Sequence, residues 1–183
     1  RNTDADARRV QNQSDADAKR AANQAKLGLK AKTDAQKAAL TTFDAAIAAA
    51  VSTRQTSVQT AVIAYRTTQN TALTTRRAAV DAAIVARKAA VQAAYATWQA
   101  RCGLSAADRT AANAAFRAAI HSARTTFYNA VQSAFTMYDA TMKTDLSTRN
   151  AAVASANTTF KTAVSNARAA LKAVWTPAST STK

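Results

Sequence analysis

From Leu29 onward the larger apolar residues return every eleven positions. One series runs Leu29, Leu40, Val51, Val62, Leu73, Ile84 and Tyr95, and a second runs Ile47, Val58, Gln69, Val80 and Val91 to reach Cys102. A third, Phe43, Arg54, Tyr65, Arg76, Arg87 and Trp98, alternates aromatic residues with arginine. Past residue 105 the rule resumes as Phe116, Phe127, Tyr138, Arg149, Phe160 and Leu171, beside Ile120, Val131, Met142, Val153, Val164 and Trp175. Eleven residues over three turns is about 3.67 per turn, close to the α-helical value, so such a stripe stays nearly straight with a slight right-handed drift. The pattern predicts long helices, each with one packing seam, and does not fit a heptad coiled coil.

The pattern breaks once, at "WQARCGLSAADR". Gly103 suits the left-handed position after a helix end, with Arg101 in the last turn and Leu104 placed to fold back on Trp98. Ser105 followed by Asp108 reads as an N-cap with an acid in the first turn. So short a connection predicts antiparallel neighbours. The expected architecture is therefore all-α: a long antiparallel two-helix hairpin with eleven-residue, coiled-coil-like packing, associating further into a helical bundle or fibre. Its segments are a polar helical overhang at 1–33, a first long helix at 34–102, a hairpin turn at 103–105, a second long helix at 105–175 and a frayed Ser/Thr tail at 176–183, where Pro177 stops the helix. Folding the chain about residue 103 sets Trp175 opposite Asp34 and leaves the overhang, polar apart from Val10, Leu27 and Leu29, without a partner in its own chain.

Composition agrees with long helices. Among 183 residues there are 52 Ala, two Gly, one Pro and no Glu, so turn-forming residues are scarce. Alanine favours helix and offers little surface to bury, which argues against a multilayered core. The charge of +15, from 25 Lys and Arg against 10 Asp, makes nucleic acid or an acidic polysaccharide a candidate partner. No apolar run approaches the ~18 residues of a membrane-spanning helix. The chain begins at Arg1 rather than methionine, which suits removal of an N-terminal piece such as a signal sequence and an extracellular or cell-surface location.

On an eleven-residue helical net the face opposite the seam is rich in threonine, with Thr42, Thr53, Thr56, Thr60, Thr67, Thr71 and Thr75 on the first helix and Thr125, Thr126, Thr136, Thr148, Thr158 and Thr159 on the second. It reads as a solvent face of biased composition, as a second packing surface, or as an ice-like flat surface. The Ala and Thr content and the period resemble the alanine-rich helical antifreeze proteins of fish, and that resemblance implies an ice-binding helical bundle. This chain is more basic and less dominated by alanine, and Phe, Leu, Val and Tyr fill its eleven-residue positions, so no ice-binding residue transfers.

The inventory of reactive groups is thin. His121 stands beside the second seam with no other His or Cys near it in sequence, so neither a metal site nor a Cys-His couple is suggested. Asp4, Asp6, Asp15 and Asp17 balance Arg8, Arg9, Lys19 and Arg20 better than they make paired catalytic carboxylates. With only Gly28 and Gly103 there is no glycine-rich phosphate loop. Cys102 reads either as a small packing residue at the turn or as an inter-subunit disulfide in an oxidising compartment. No enzyme, cofactor or metal is expected. The leading functional expectation is a structural protein whose partner is itself, a subunit of a fibre or surface appendage. A basic helical nucleic-acid or polyanion binder is the alternative, and the ice-binding bundle is a second alternative.

Overall fold

The computed structural model describes residues 2–101, 103 and 105–176. They form three helices, α1 (Asn2–Gly28), α2 (Asp34–Arg101) and α3 (Ala106–Trp175), with no strand among the described residues. The all-α helical hairpin expected from the eleven-residue period is present: α2 and α3 pack along each other in opposite directions. Cys102, Leu104 and the tail from Pro177 onward lie outside the described residues.

The starts of α2 and α3 are fixed by side-chain caps. The Ser105 hydroxyl accepts from the Asp108 amide at 3.1 Å and donates to the Asp108 carboxylate at 2.6 Å, while the Ser105 carbonyl takes the first α3 bond from Arg109 at 3.0 Å. At α2 the Thr33 hydroxyl accepts from the Gln36 amide at 3.1 Å, and the Gln36 side-chain oxygen accepts from the Lys32 and Thr33 amides at 2.9 and 3.3 Å. This Thr-x-x-Gln capping box satisfies amides that the helix itself leaves open. The turn between Gly28 and Thr33 is closed by Lys30 donating to the Leu27 carbonyl and Ala31 to the Gly28 carbonyl.

The chain divides into two compact units. The first holds residues 1–59 and 152–183, and so contains α1, the start of α2 and the end of α3. Here the structure corrects an expectation. The N-terminal segment is not left without a partner in its own chain: α1 turns back along α2, and the two jointly line grooves that pair Asp17, Arg20 and Gln24 with Ile47, Val51 and Gln55. Earlier residues of α1 meet later ones of α2, as Asp6 and Val10 do with Val58 and Gln59, so the two run antiparallel. The five residues after Gly28, ending in the Thr33 cap, allow the reversal that the bare hairpin scheme did not include. Leu40 and Ile47 are each only 8% exposed in this unit.

The second unit, residues 60–151, is built from α2 and α3 alone. Its most buried positions are alanines, Ala83 on α2 and Ala112, Ala123 and Ala134 on α3, with Ala112 and Ala134 at 3% exposure. Ala112, Ala123 and Ala134 are themselves eleven apart. Small side chains let two helix backbones approach closely, and larger residues then sit at the margins of the contact. The expected seam is corrected accordingly. Leu40 and Ile47 are buried, Ile84 and Tyr95 are exposed, and the other seam residues from Phe43 to Trp175 are half-buried.

A second correction concerns the hairpin turn. No described glycine has a positive φ, so Gly103 does not take the left-handed cap conformation expected of it. A Cβ built on Gly103 meets nothing within 4 Å. At this turn the start signal at Ser105, rather than a glycine stop, supplies the side-chain hydrogen bonds.

Candidate functional site

The third sequence series, aromatic residues alternating with arginine, makes a ladder between α2 and α3. In the second unit Trp98 packs on Phe116 with ring centroids 6.3 Å apart. The Arg87 guanidinium lies 5.3 Å from the Phe127 centroid, that of Arg76 4.6 Å from Tyr138, and that of Arg149 4.9 Å from Tyr65. Each rung is eleven residues down α2 and eleven up α3 from the one before. In the first unit Arg54 lies 5.6 Å from Phe160. Wherever α2 carries arginine in this series α3 carries a ring, and at Tyr65 and Arg149 the roles are exchanged.

A cation over a ring face is favourable by about 0.5–1 kcal/mol when exposed and by about 2 when desolvated. The arginine stems meanwhile cover apolar surface beside the alanine contact. A second tier on α3 sits three residues before the first. The Trp98 indole N–H donates to the Asn113 Oδ1 at 2.8 Å, the Arg54 Nε donates to the Asn157 Oδ1 at 2.6 Å, and Arg76 also lies 4.7 Å from Phe135. Asn113, Phe135 and Asn157 belong to one eleven-residue series whose remaining member near the tip is Arg124. That residue would face Arg87, and it instead lies over Tyr128 of its own helix at 5.4 Å.

The ladder takes up Arg54, Arg76, Arg87 and Arg149 among the 25 basic residues, and the buried alanine series fails at one position. Continuing Ala112, Ala123 and Ala134 by eleven gives Asp145, then Ala156 and Ala167 in the first unit. Asp145 is half-buried, and its Oδ2 is out of solvent contact with no hydrogen-bond partner.

The threonine face has a simple account. On that face Thr42, Thr67, Thr148 and Thr158 each donate their hydroxyl to the carbonyl four residues earlier at 3.1 Å, as Thr74 and Thr141 do elsewhere on the helices. A hydroxyl turned back in this way is satisfied by its own helix, and the methyl group is what it shows to its surroundings. In the second unit Thr67, Thr71, Thr75 and Thr141 line a shallow groove with Met137 and Tyr138.

The remaining sequence candidates are not brought together. His121 is exposed on α3. Among the described residues no three His, Cys or Asp side chains gather as metal ligands, and no helix is long and apolar enough to cross a membrane. In α1, Asp6 pairs with Arg9 and Asp17 with Arg20, two ion pairs eleven residues apart within one helix. Cys102, the candidate for an inter-subunit disulfide, is outside the described residues.

No protein-family model, no curated protein and no solved structure matches this chain. The reading of the surface therefore rests on its own geometry. Asn113 and Asn157 were missed in the sequence, although both sit three residues before a ladder aromatic, Phe116 and Phe160, at a spacing that shares a helix face. The complementary pairing of the two arginine–aromatic series was also available in the sequence, since only one hairpin register sets every arginine against a ring.

Proposed function

We propose that this chain is a structural subunit that assembles with further copies of itself into a fibre or surface appendage, at the cell surface or outside the cell. The observation that carries this reading is an apolar stripe that outruns its cover. Val51, which lines a groove with α1 and is half-buried in the first unit, belongs to a series whose second-unit members Ile84 and Tyr95 are 50% and 48% exposed. Exposed apolar groups that repeat along a helix in this way are a surface for another helix. Arg54, Arg76, Arg87 and Arg149, which dominate the charge near the seam, are already committed to ring faces of the same chain. Negative-stain microscopy of the purified chain tests the proposal. Filaments or laterally packed bundles are the expected image, and a field of separate small particles at every concentration counts against it.

A polyanion-binding role is the second reading, favoured by the charge of +15 and by the exposed Arg77 and Lys88 on α2, eleven residues apart. Binding of that kind weakens steeply between about 50 and 200 mM salt. A mobility-shift titration with DNA and RNA at low salt reads it directly, and the absence of a shifted band there removes it.

A further inference from the structure

In the second unit the ladder fixes one register between α2 and α3, with Arg87 over Phe127 and Arg76 over Tyr138. That register sets Val80 and Val91 of α2 level with Ala134 and Ala123 of α3, and Ala83 of α2 level with Val131 of α3. A large residue on either helix thus meets an alanine on the other, and Ala83, Ala123 and Ala134 are among the most buried residues of the chain. Within the first unit the rule continues, with Ile47 and Val58 level with the buried Ala167 and Ala156. One level departs from it on both helices. Gln69 is the one polar member of the α2 series Ile47, Val58, Gln69, Val80 and Val91, Asp145 is the one polar member of the α3 series from Ala112 to Ala167, and the register sets them opposite each other. Both are half-buried, and the Asp145 Oδ2 is out of solvent contact without a hydrogen-bond partner. Four residues away on each helix is the rung where ring and arginine are exchanged, Tyr65 and Arg149. The polar pair and the exchanged rung fall within one turn.

With a strictly regular eleven-residue pattern, α3 could lie on α2 at any stagger of eleven with equal packing. Within one chain the turn restricts the stagger. When α2 of one copy meets α3 of another as chains fold side by side, no such tether exists. We infer that the level of Tyr65, Gln69, Asp145 and Arg149 is a register key, which admits α3 to α2 at this one alignment whether the two belong to one chain or to two copies. At the true alignment a carboxylate stands opposite a side-chain amide that can donate to it. A stagger of one repeat in either direction sets Gln69 against an alanine and Asp145 against a valine, so that two polar groups are covered without a counterpart. The same stagger sets Arg149 against Arg76 or Arg54 in place of a ring. A polar residue in an apolar seam fixes alignment at a cost in stability, and the orphaned Asp145 oxygen is that cost. The key does not depend on whether finished copies assemble.

The test compares the parent with a regularised chain, Tyr65→Arg/Gln69→Val/Asp145→Ala/Arg149→Tyr, which continues both patterns without interruption, and with an exchange chain, Gln69→Asp/Asp145→Gln, which keeps both polar groups at their level. All carry Cys102→Ser and spin labels at Lys88→Cys and Thr126→Cys, two exposed positions that the register sets level. Each is refolded from urea over a range of protein concentrations, circular dichroism verifies its helix content, and pulsed dipolar spectroscopy reads the separation of the labels. One repeat of stagger offsets them by about 16 Å along the axis. The expected result is the same distribution in the parent and exchange chains, and added longer separations in the regularised chain that grow with concentration. The double variant Gln69→Val/Asp145→Ala, a smaller departure from the parent, is expected to show the same longer separations at lower population, and it decides the matter if the regularised chain loses helix content. Refolding of the variants to the parent's distribution at every concentration overturns the key, as does an exchange chain that spreads like the regularised one.

Discussion

At the scale of single residues, the arginines of the ladder are packing groups as much as charges. Arg76 touches two rings, Phe135 and Tyr138. Arg76→Ala therefore removes two cation–π contacts and the cover of the stem, and is expected to cost about 1–2 kcal/mol in thermal or urea unfolding. Arg76→Lys keeps the charge and loses the planar face, so it falls between. Asp145 predicts the opposite sign. It breaks the buried alanine series with a carboxylate oxygen that has no partner, so Asp145→Ala is expected to stabilise by about 1 kcal/mol, visible as a melting temperature raised by about 2–4 °C. An unchanged or lowered melting temperature would show that the carboxylate is held by something other than the alanine contact.

At the scale of elements, the ends of the helices separate what was readable from what was not. Ser105 and Asp108 were readable because the cap motif is local and its partners are three residues apart. Thr33 and Gln36 carry the same motif with the same spacing, and they begin α2 with three side-chain hydrogen bonds. Thr33→Ala is expected to cost about 1 kcal/mol and to speed hydrogen exchange in the first turn of α2. Gly103 was misread: its composition suggested a left-handed stop, and the backbone there is not left-handed. Gly103→Ala is accordingly expected to be tolerated, and to stabilise by about 0.4–1 kcal/mol by narrowing the unfolded ensemble. A loss of stability in the melt would contradict the turn geometry described here. The buried alanines were hidden for a different reason. With 52 alanines in the chain, an eleven-residue alanine series cannot be told from background, whereas a Phe or Leu series can, so size was taken for burial and Ile84 and Tyr95 were placed inside.

At the scale of the molecule, the α2 stripe is covered differently in the two units. In the first, α1 lies beside Ile47 and Val51, with Ile47 8% exposed; in the second, Ile84, Val85 and Tyr95 are open. The period alone showed that a stripe existed. It did not show that the N-terminal helix would take part of it, because α1 is polar and its contact is made by half-buried Arg20, Gln24 and Leu27 rather than by an apolar row. The proposed self-association would draw its energy from covering these exposed side chains, since burying an apolar side chain of this size is favourable by about 1.5–3 kcal/mol. Sedimentation velocity of the full chain over a hundredfold range of concentration reads the proposed assembly directly. Assembly gives a sedimentation coefficient that climbs with concentration. A single 19.2 kDa species, unchanged across the whole range at low and high salt, would contradict it.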